Sequence, residues 1–242
     1  MTSYLGRAAR WASVISWCAC LLLPMAVPCA EIEGWQRFER RVRDGEIGRA
    51  EGLREIARWH ELLVGLFPAA GLGDRVFFPL EGYGLGAVGG KNGEGYKPAG
   101  YEFVGGNRHR GHPAQDIFIH DRNQDGLDDR TGRPVAVLSI ADGVVVSVFA
   151  EWDRTGRFRA VRGGNYMWVY HPALGLFSYY AHLRKVEAAV GDPVAGGARI
   201  ATLGRTGVNA APARSPTHLH LMLLRARDMT PVDPYPMWRR HR

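Results

Sequence analysis

The chain has 242 residues, 46% of them hydrophobic, and a formal net charge of +7. This length and composition suit one globular domain with a helical appendage, and they exclude a disordered chain and a multi-span membrane protein. The modest basic excess suits an anionic polymer; without a dense Lys/Arg run interleaved with aromatics, no nucleic-acid partner is expected.

Residues 1–30 read as an export signal. Arg7 and Arg10 form a short positive region, and an uncharged stretch runs from Trp11 to Ala30 with Leu21, Leu22 and Leu23 at its centre. A cut after Ala30 removes the segment. Left uncleaved, it is just long enough for a single membrane anchor, the one membrane association expected. The expected location is the periplasm or cell envelope, with secretion as the alternative. All three cysteines, Cys18, Cys20 and Cys29, lie in this segment. Pro28 and Met25 do not suit a lipidated Cys29. The remainder has no thiol, so any metal must be held by His and carboxylate.

Residues 31–76 form a helical N-terminal region. Trp35, Phe38 and Val42 recur at helical spacing, Asp44-Gly45 interrupts, and Leu53, Ile56, Ala57, Leu62 and Leu63 resume the pattern. A helical hairpin or a long broken helix packing on the main domain is expected. Glycine is dense from Gly82 to Gly111, which predicts irregular ribbon. Short strands follow at 116–119, 135–140, 143–149, 166–171, 175–182, 199–203 and 218–224, with no helix among them. The fold class is therefore mostly β, an antiparallel sandwich or barrel-like domain over 77–235. Residues 236–242 are a basic tail, and the whole stretch from Met229 onward is expected along the surface.

Two spacings carry chemistry. His112-Pro-Ala-Gln-Asp116 places a His and a carboxylate four residues apart at the entry to a strand. In His218-Leu-His220 strand alternation puts both imidazoles on one face. Such a set can supply three ligands and leave the fourth position open, as a catalytic zinc requires. Alone, each motif is modest, and His182 in Tyr180-Ala-His-Leu183 would be read as an ordinary strand-end residue.

Taken in order, however, the motifs resemble the lysostaphin-type (LytM-like) zinc endopeptidases. They include Ala-Asp-Gly-Val-Val at 141–145, the segment from Asn165 to Pro172, Tyr180-Ala-His-Leu183, the Gly-rich turn 190–197, Leu203-Gly-Arg-Thr-Gly207, Thr217-His-Leu-His-Leu221 and Val232-Asp-Pro-Tyr235. The resemblance spans about 78–235. It implies one zinc ion held by His112, Asp116 and His220, with His182 and His218 as the catalytic pair. Its implied substrate is a peptidoglycan peptide, at a stem or cross-bridge. Tyr96, Tyr101, Asn107 or a backbone amide could donate to the oxyanion. One departure is Ala114, where the family usually has Gly two residues after the first ligand.

Asp121, Asn123, Asp125, Gly126, Asp128 and Asp129 copy the first half of a calcium loop, but the twelfth position is Gly132. A partial calcium site and an Asx-rich turn both fit. His60, His109, His120, His171 and His241 read as ordinary core or surface histidines, with His109 or His120 also placed to support the metal motif. Two rival functions are a non-catalytic wall-binding or amidase-activating module of the same fold, which predicts broken ligands, and a secreted protease acting on glycine-rich proteins. A biotinyl or lipoyl carrier, suggested by the turn at 190–197, lacks its exposed hairpin lysine.

Overall fold

Along residues 218–224, Leu219, Leu221 and Leu223 alternate with His218, His220, Met222 and Leu224. In the computed structural model, which describes residues 29–108 and 111–240, this alternation separates two apolar cores on opposite faces of one antiparallel sheet. Residues 1–28 of the signal segment, with Cys18 and Cys20, fall outside the described residues, as do His109, His241 and the side chains of Cys29 and Asn107.

The sheet has nine strands: β1 (Ala114–Phe118), β2 (Ala136–Leu138), β3 (Gly143–Phe149), β4 (Asn165–His171), β5 (Leu176–Val186), β6 (Pro193–Val194), β7 (Arg199–Leu203), β8 (His218–Arg225) and β9 (Pro231–Val232). Its main path runs β1-β8-β5-β4-β3-β6; β7 joins β2 and β5, and β9 pairs with β8. The fold is mostly β, as expected, in an unclosed sheet with helices at its N-terminal side. Two strands of two residues, β6 and β9, escape periodicity because they are too short to show any. The tail also departs from expectation. Tyr235–Arg240 forms a short helix, α3, and its buried Trp238 packs 5.1 Å from Phe78. Burying that indole outweighs the run of charged neighbours.

Ahead of the sheet stand α1 (Cys29–Asp44) and α2 (Arg49–Leu66), separated where Gly45 adopts a φ of 73°. Ile32, Trp35, Phe38 and Val42 of α1 are buried, with Trp35 4.9 Å from Phe177 and 5.8 Å from Trp168. Removing the Trp35 ring would cost roughly 3–5 kcal/mol. Polar anchors accompany the aromatics: buried Glu39 accepts from Tyr166 Oη at 3.0 Å and Ser147 Oγ at 3.1 Å. Burial raises the Glu39 pKa against the opposing charge of Arg43. In α2 the buried stripe is Gly52, Ile56, Trp59 and Leu63. Leu53 and Ala57, expected inside, are exposed. Gly52 explains the rotation, because a Cβ there would lie 2.5 Å from Val104 Cγ1. The close approach selects the glycine face over the leucine face.

The opposite face is sealed by β2, β7, residues 76–88 and Trp238. The α1–α2 hairpin covers only part of the first face. What it leaves open holds the site.

Candidate functional site

Asp116 on β1 lies directly across from His220 on β8, and Phe118 across from His218. Register alone therefore brings the HxxxD and HxH motifs together. His112 enters from the residues before β1, where its main chain bridges Lys97 on the glycine-rich ribbon. The ribbon orients the ring as well: His112 Nδ1 donates to Gly95 O at 2.8 Å, which leaves Nε2 as the free lone pair. That Nε2 lies 3.3 Å from Asp116 Oδ1, and His220 Nδ1 lies 3.0 Å from the same oxygen. Ligand atoms from all three residues fall within 4.8 Å of one another. Two nitrogen or oxygen ligands on one tetrahedral zinc stand about 3.3 Å apart, so the donor set fits that ion in type and spacing.

Electrostatics matches the geometry. The hydrogen bond to Asp116 raises the His112 pKa. Burial works to raise the Asp116 pKa, but hydrogen bonds from His112 and His220 prevail and hold it well below the usual carboxylate range. Ala114 is fully buried at the start of β1 and has no positive φ, so its methyl is accommodated in ordinary strand backbone.

His182 reaches the site by a different route. Strict alternation along β5 would place Tyr179 and Ala181 on the site face and His182 on the other. Between Tyr180 and Leu183, however, β5 has one residue more than β4, a β-bulge, and His182 sits in it at φ 65°. The bulge turns the ring back toward His218, with centroids 4.8 Å apart. Three contacts hold it there. The His182 amide donates to Gly163 O at 2.8 Å, its Nδ1 donates to Thr206 O at 2.9 Å, and Leu183 O accepts from Thr206 Oγ1 at 2.8 Å. Gly164, at φ 64°, permits this proximity, since a Cβ there would overlap Gly207 N and Thr206 C.

His218 Nδ1 donates to Pro216 O at 2.8 Å, leaving Nε2 3.8 Å from Asp116 Oδ1. Burial lowers the pKa of both rings, helped at His182 by the neighbouring His218 and His220 and carried there to about 3. The two are thus neutral imidazoles with their Nε2 lone pairs available.

A cavity of about 180 Å³ opens on this group, lined by His112, His182 and His220 together with Tyr101, Tyr179 and Arg162. Of the oxyanion candidates, Tyr101 lines it, whereas Tyr96 does not. Tyr179 was missed in the sequence, although its place two residues before Ala181 puts it on the His220 face. Burial raises the phenol pKa of both Tyr101 and Tyr179, so both stay protonated donors. The α1 residues Glu39, Val42 and Arg43 form the far wall, which no local motif announced.

The loop 121–129 does not converge on a point. Asp121 accepts from the amides of Asp125 and Gly126 and from Thr217 Oγ1, Asn123 Oδ1 and Asp125 Oδ1 accept from amides two residues on, Asp129 accepts from Arg122 N, and Asp128 pairs with Arg130 and Tyr83. Among the described residues only His112, Asp116 and His220 form a group able to hold a metal. The Asx-turn reading accounts for these contacts. His120 stands against Tyr83 and His171 is buried at the end of β4, both away from the cavity lining.

Residues 122–234 match the model of peptidase family M23. No curated protein matches the chain. Among solved structures, the catalytic domain of the antimicrobial peptidase lysostaphin from Staphylococcus simulans is 26% identical over 60% of this chain and 89% of its own, at a TM-score of 0.40. A zinc-containing peptidase from Vibrio cholerae is 27% identical over 66% of this chain and only 40% of its own, at 0.43. A glycyl-glycine endopeptidase LytM of Ruminococcus gnavus, described as putative, is 29% identical over 52% and 45%, at 0.38. The overlays are loose, and the assignment rests on the family match and on the motifs it spans. That match includes His182, His218 and His220; strand register adds Asp116, and His112 joins them by its distance to Asp116. Residues 122–234 are thus similar to peptidase family M23, whose lysostaphin-type members the motifs resemble.

Proposed function

We propose that the chain is a zinc-dependent endopeptidase that cuts peptide bonds in peptidoglycan stem peptides or cross-bridges, after export to the cell envelope. The observation that carries this reading is the convergence of His112, Asp116 and His220 beside two neutral histidines with free Nε2 atoms. The match of residues 122–234 to a peptidase family, the basic charge and the signal-like residues 1–30 support it.

In this reading His112 Nε2, Asp116 and His220 Nδ1 hold the ion. Bound there, zinc supplies Lewis-acid activation of water and of the scissile carbonyl at neutral pH. His182 and His218 take up the proton of the attacking water at Nε2 and return it to the leaving amine. Hydrogen bonds from both Nδ1 atoms to fixed carbonyls keep these rings in the required tautomer. Tyr101 and Tyr179 line the same cavity and are the candidates to stabilise the oxyanion.

The test is digestion of purified sacculi by residues 31–242 and by the same protein with His220→Ala, followed by muropeptide analysis. Shortened peptides from the unmutated protein alone are expected. If the zinc-loaded, unmutated protein leaves every muropeptide intact, the reading is wrong.

A further inference from the structure

The loop between β3 and β4, residues 150–164, carries Arg154, Arg157, Arg159 and Arg162, all exposed. Its apolar residues turn the other way. Val161 is buried, Phe158 lies 5.1 Å from Phe149, and Trp152 Nε1 donates to Arg159 O at 3.3 Å. The loop is therefore a platform braced by its apolar residues, with its arginines exposed. Its C-terminal end is tied to the site itself through the His182 amide on Gly163 O.

Most local acids are committed elsewhere. Asp153 accepts from the amides of Thr155 and Gly156, Asp44 pairs with Arg43, and Glu39 is buried against Tyr166 and Ser147. Glu151, at the start of the loop, is exposed. Arg154 donates to Ala211 O and Arg157 lies over Phe158. Among the described residues no ion pair engages any of the four arginines. A row of surface arginines is usually only a solvated face. Arg162 differs because it lines the same cavity as His112, His182 and His220. An arginine that lines a partly enclosed site is suited to bidentate pairing with a carboxylate.

We propose that Arg162 is a specificity-determining residue that binds a carboxylate of the substrate, so that the enzyme selects acidic peptides over neutral, glycine-like ones. Arg159 and Arg157 extend the positive field outward along the loop. The proposal rests on the peptidase reading. The carboxylate belongs either to a side chain near the scissile bond or to the peptide's C-terminus.

Synthetic peptides of one sequence separate these sources, with the side-chain carboxyl, the terminal carboxyl, both or neither amidated. Hydrolysis and calorimetric binding are measured with zinc-loaded protein. The unmutated protein should favour the peptide carrying the recognised carboxylate by roughly three- to tenfold, mostly in KM, and less so at high salt. Arg162→Gln should bring the acid-to-amide ratio close to one, Arg162→Lys should restore part of it, and Arg227→Gln in the β8–β9 turn should leave it unchanged. Equal preference in the unmutated and Arg162→Gln proteins, or no preference in either, overturns the proposal. If no peptide is hydrolysed, the peptidase reading fails, while the ratio of binding constants still decides the role of Arg162.

Discussion

In the cluster of His112, Asp116 and His220, the donors come from separate segments, and their ligand atoms gather within 4.8 Å of one another. In the loop 121–129, six oxygen-bearing residues lie close in sequence, yet their side chains turn to backbone amides, to Arg130, to Arg205, to Tyr83 or to Thr217. Both segments hold carboxylates beside β1. They differ in whether the local chain consumes the acceptors. His171 belongs with the loop in this respect: its Nδ1 meets Asp142 O at 3.0 Å and its Nε2 meets Ser178 Oγ at 2.7 Å, so no lone pair is spare. Sites are made where satisfaction is left incomplete, and scaffolds where it is complete.

The sharpest way to break this contrast is removal of a ligand. Asp116→Ala should abolish stoichiometric zinc by elemental analysis. It should also lower hydrolysis by more than the roughly 10- to 100-fold typical of losing an outer partner. Retained zinc would show that the three donors are not the site.

His171 should answer to pH rather than to metal. Burial lowers its pKa from 6.5 to about 4, against the raising effect of the Asp142 and Ala141 carbonyls and the Asp142 charge. The unfolded chain therefore takes up the proton first. The contribution of this residue is complete above pH 6.5 and is lost as pH falls toward 4, by about 3 kcal/mol in all. Denaturant unfolding at several pH values should show this slope, and His171→Gln should flatten it while zinc content stays constant. An unchanged slope would contradict the buried, neutral assignment.

Gly164→Ala should act on the support of His182. Forcing a Cβ at φ 64° against Thr206 and Gly207 should cost about 1–3 kcal/mol in thermal unfolding, with turnover falling further than zinc content. Full turnover would mean that the His182 contacts tolerate displacement. The smallest effect is expected at Asp125→Asn, which keeps an acceptor for Leu127 N; its melting temperature should move by less than about 2 °C, with or without added calcium. A large calcium-dependent shift in the unmutated protein would reinstate the ion site.

How far the sequence reveals this arrangement depends on how local each cause is. His218 and His220 share a face because alternation needs only three residues, and β3, β4 and β7 announce themselves as short, nearly continuous apolar runs. His182 is different. Its motif identifies it by resemblance, but alternation points it to the wrong face, and only the bulge corrects that. Gly95, whose carbonyl sets the His112 tautomer, lies 17 residues from its partner in a glycine-rich ribbon with no periodic signal. Leu53 misleads for a related reason. Hydrophobicity argues for burial, whereas the fit of Gly52 against Val104 determines which side of α2 faces inward.

The left-handed backbone at His182 has a consequence for how this chain would age if its activity ceased to matter. A histidine there carries a conformational cost that glycine or asparagine would relieve. Selection for hydrolysis keeps the imidazole in place. A descendant released from that selection would gain stability by the very substitution that disarms it, so decay of the enzyme would begin as an improvement of the fold.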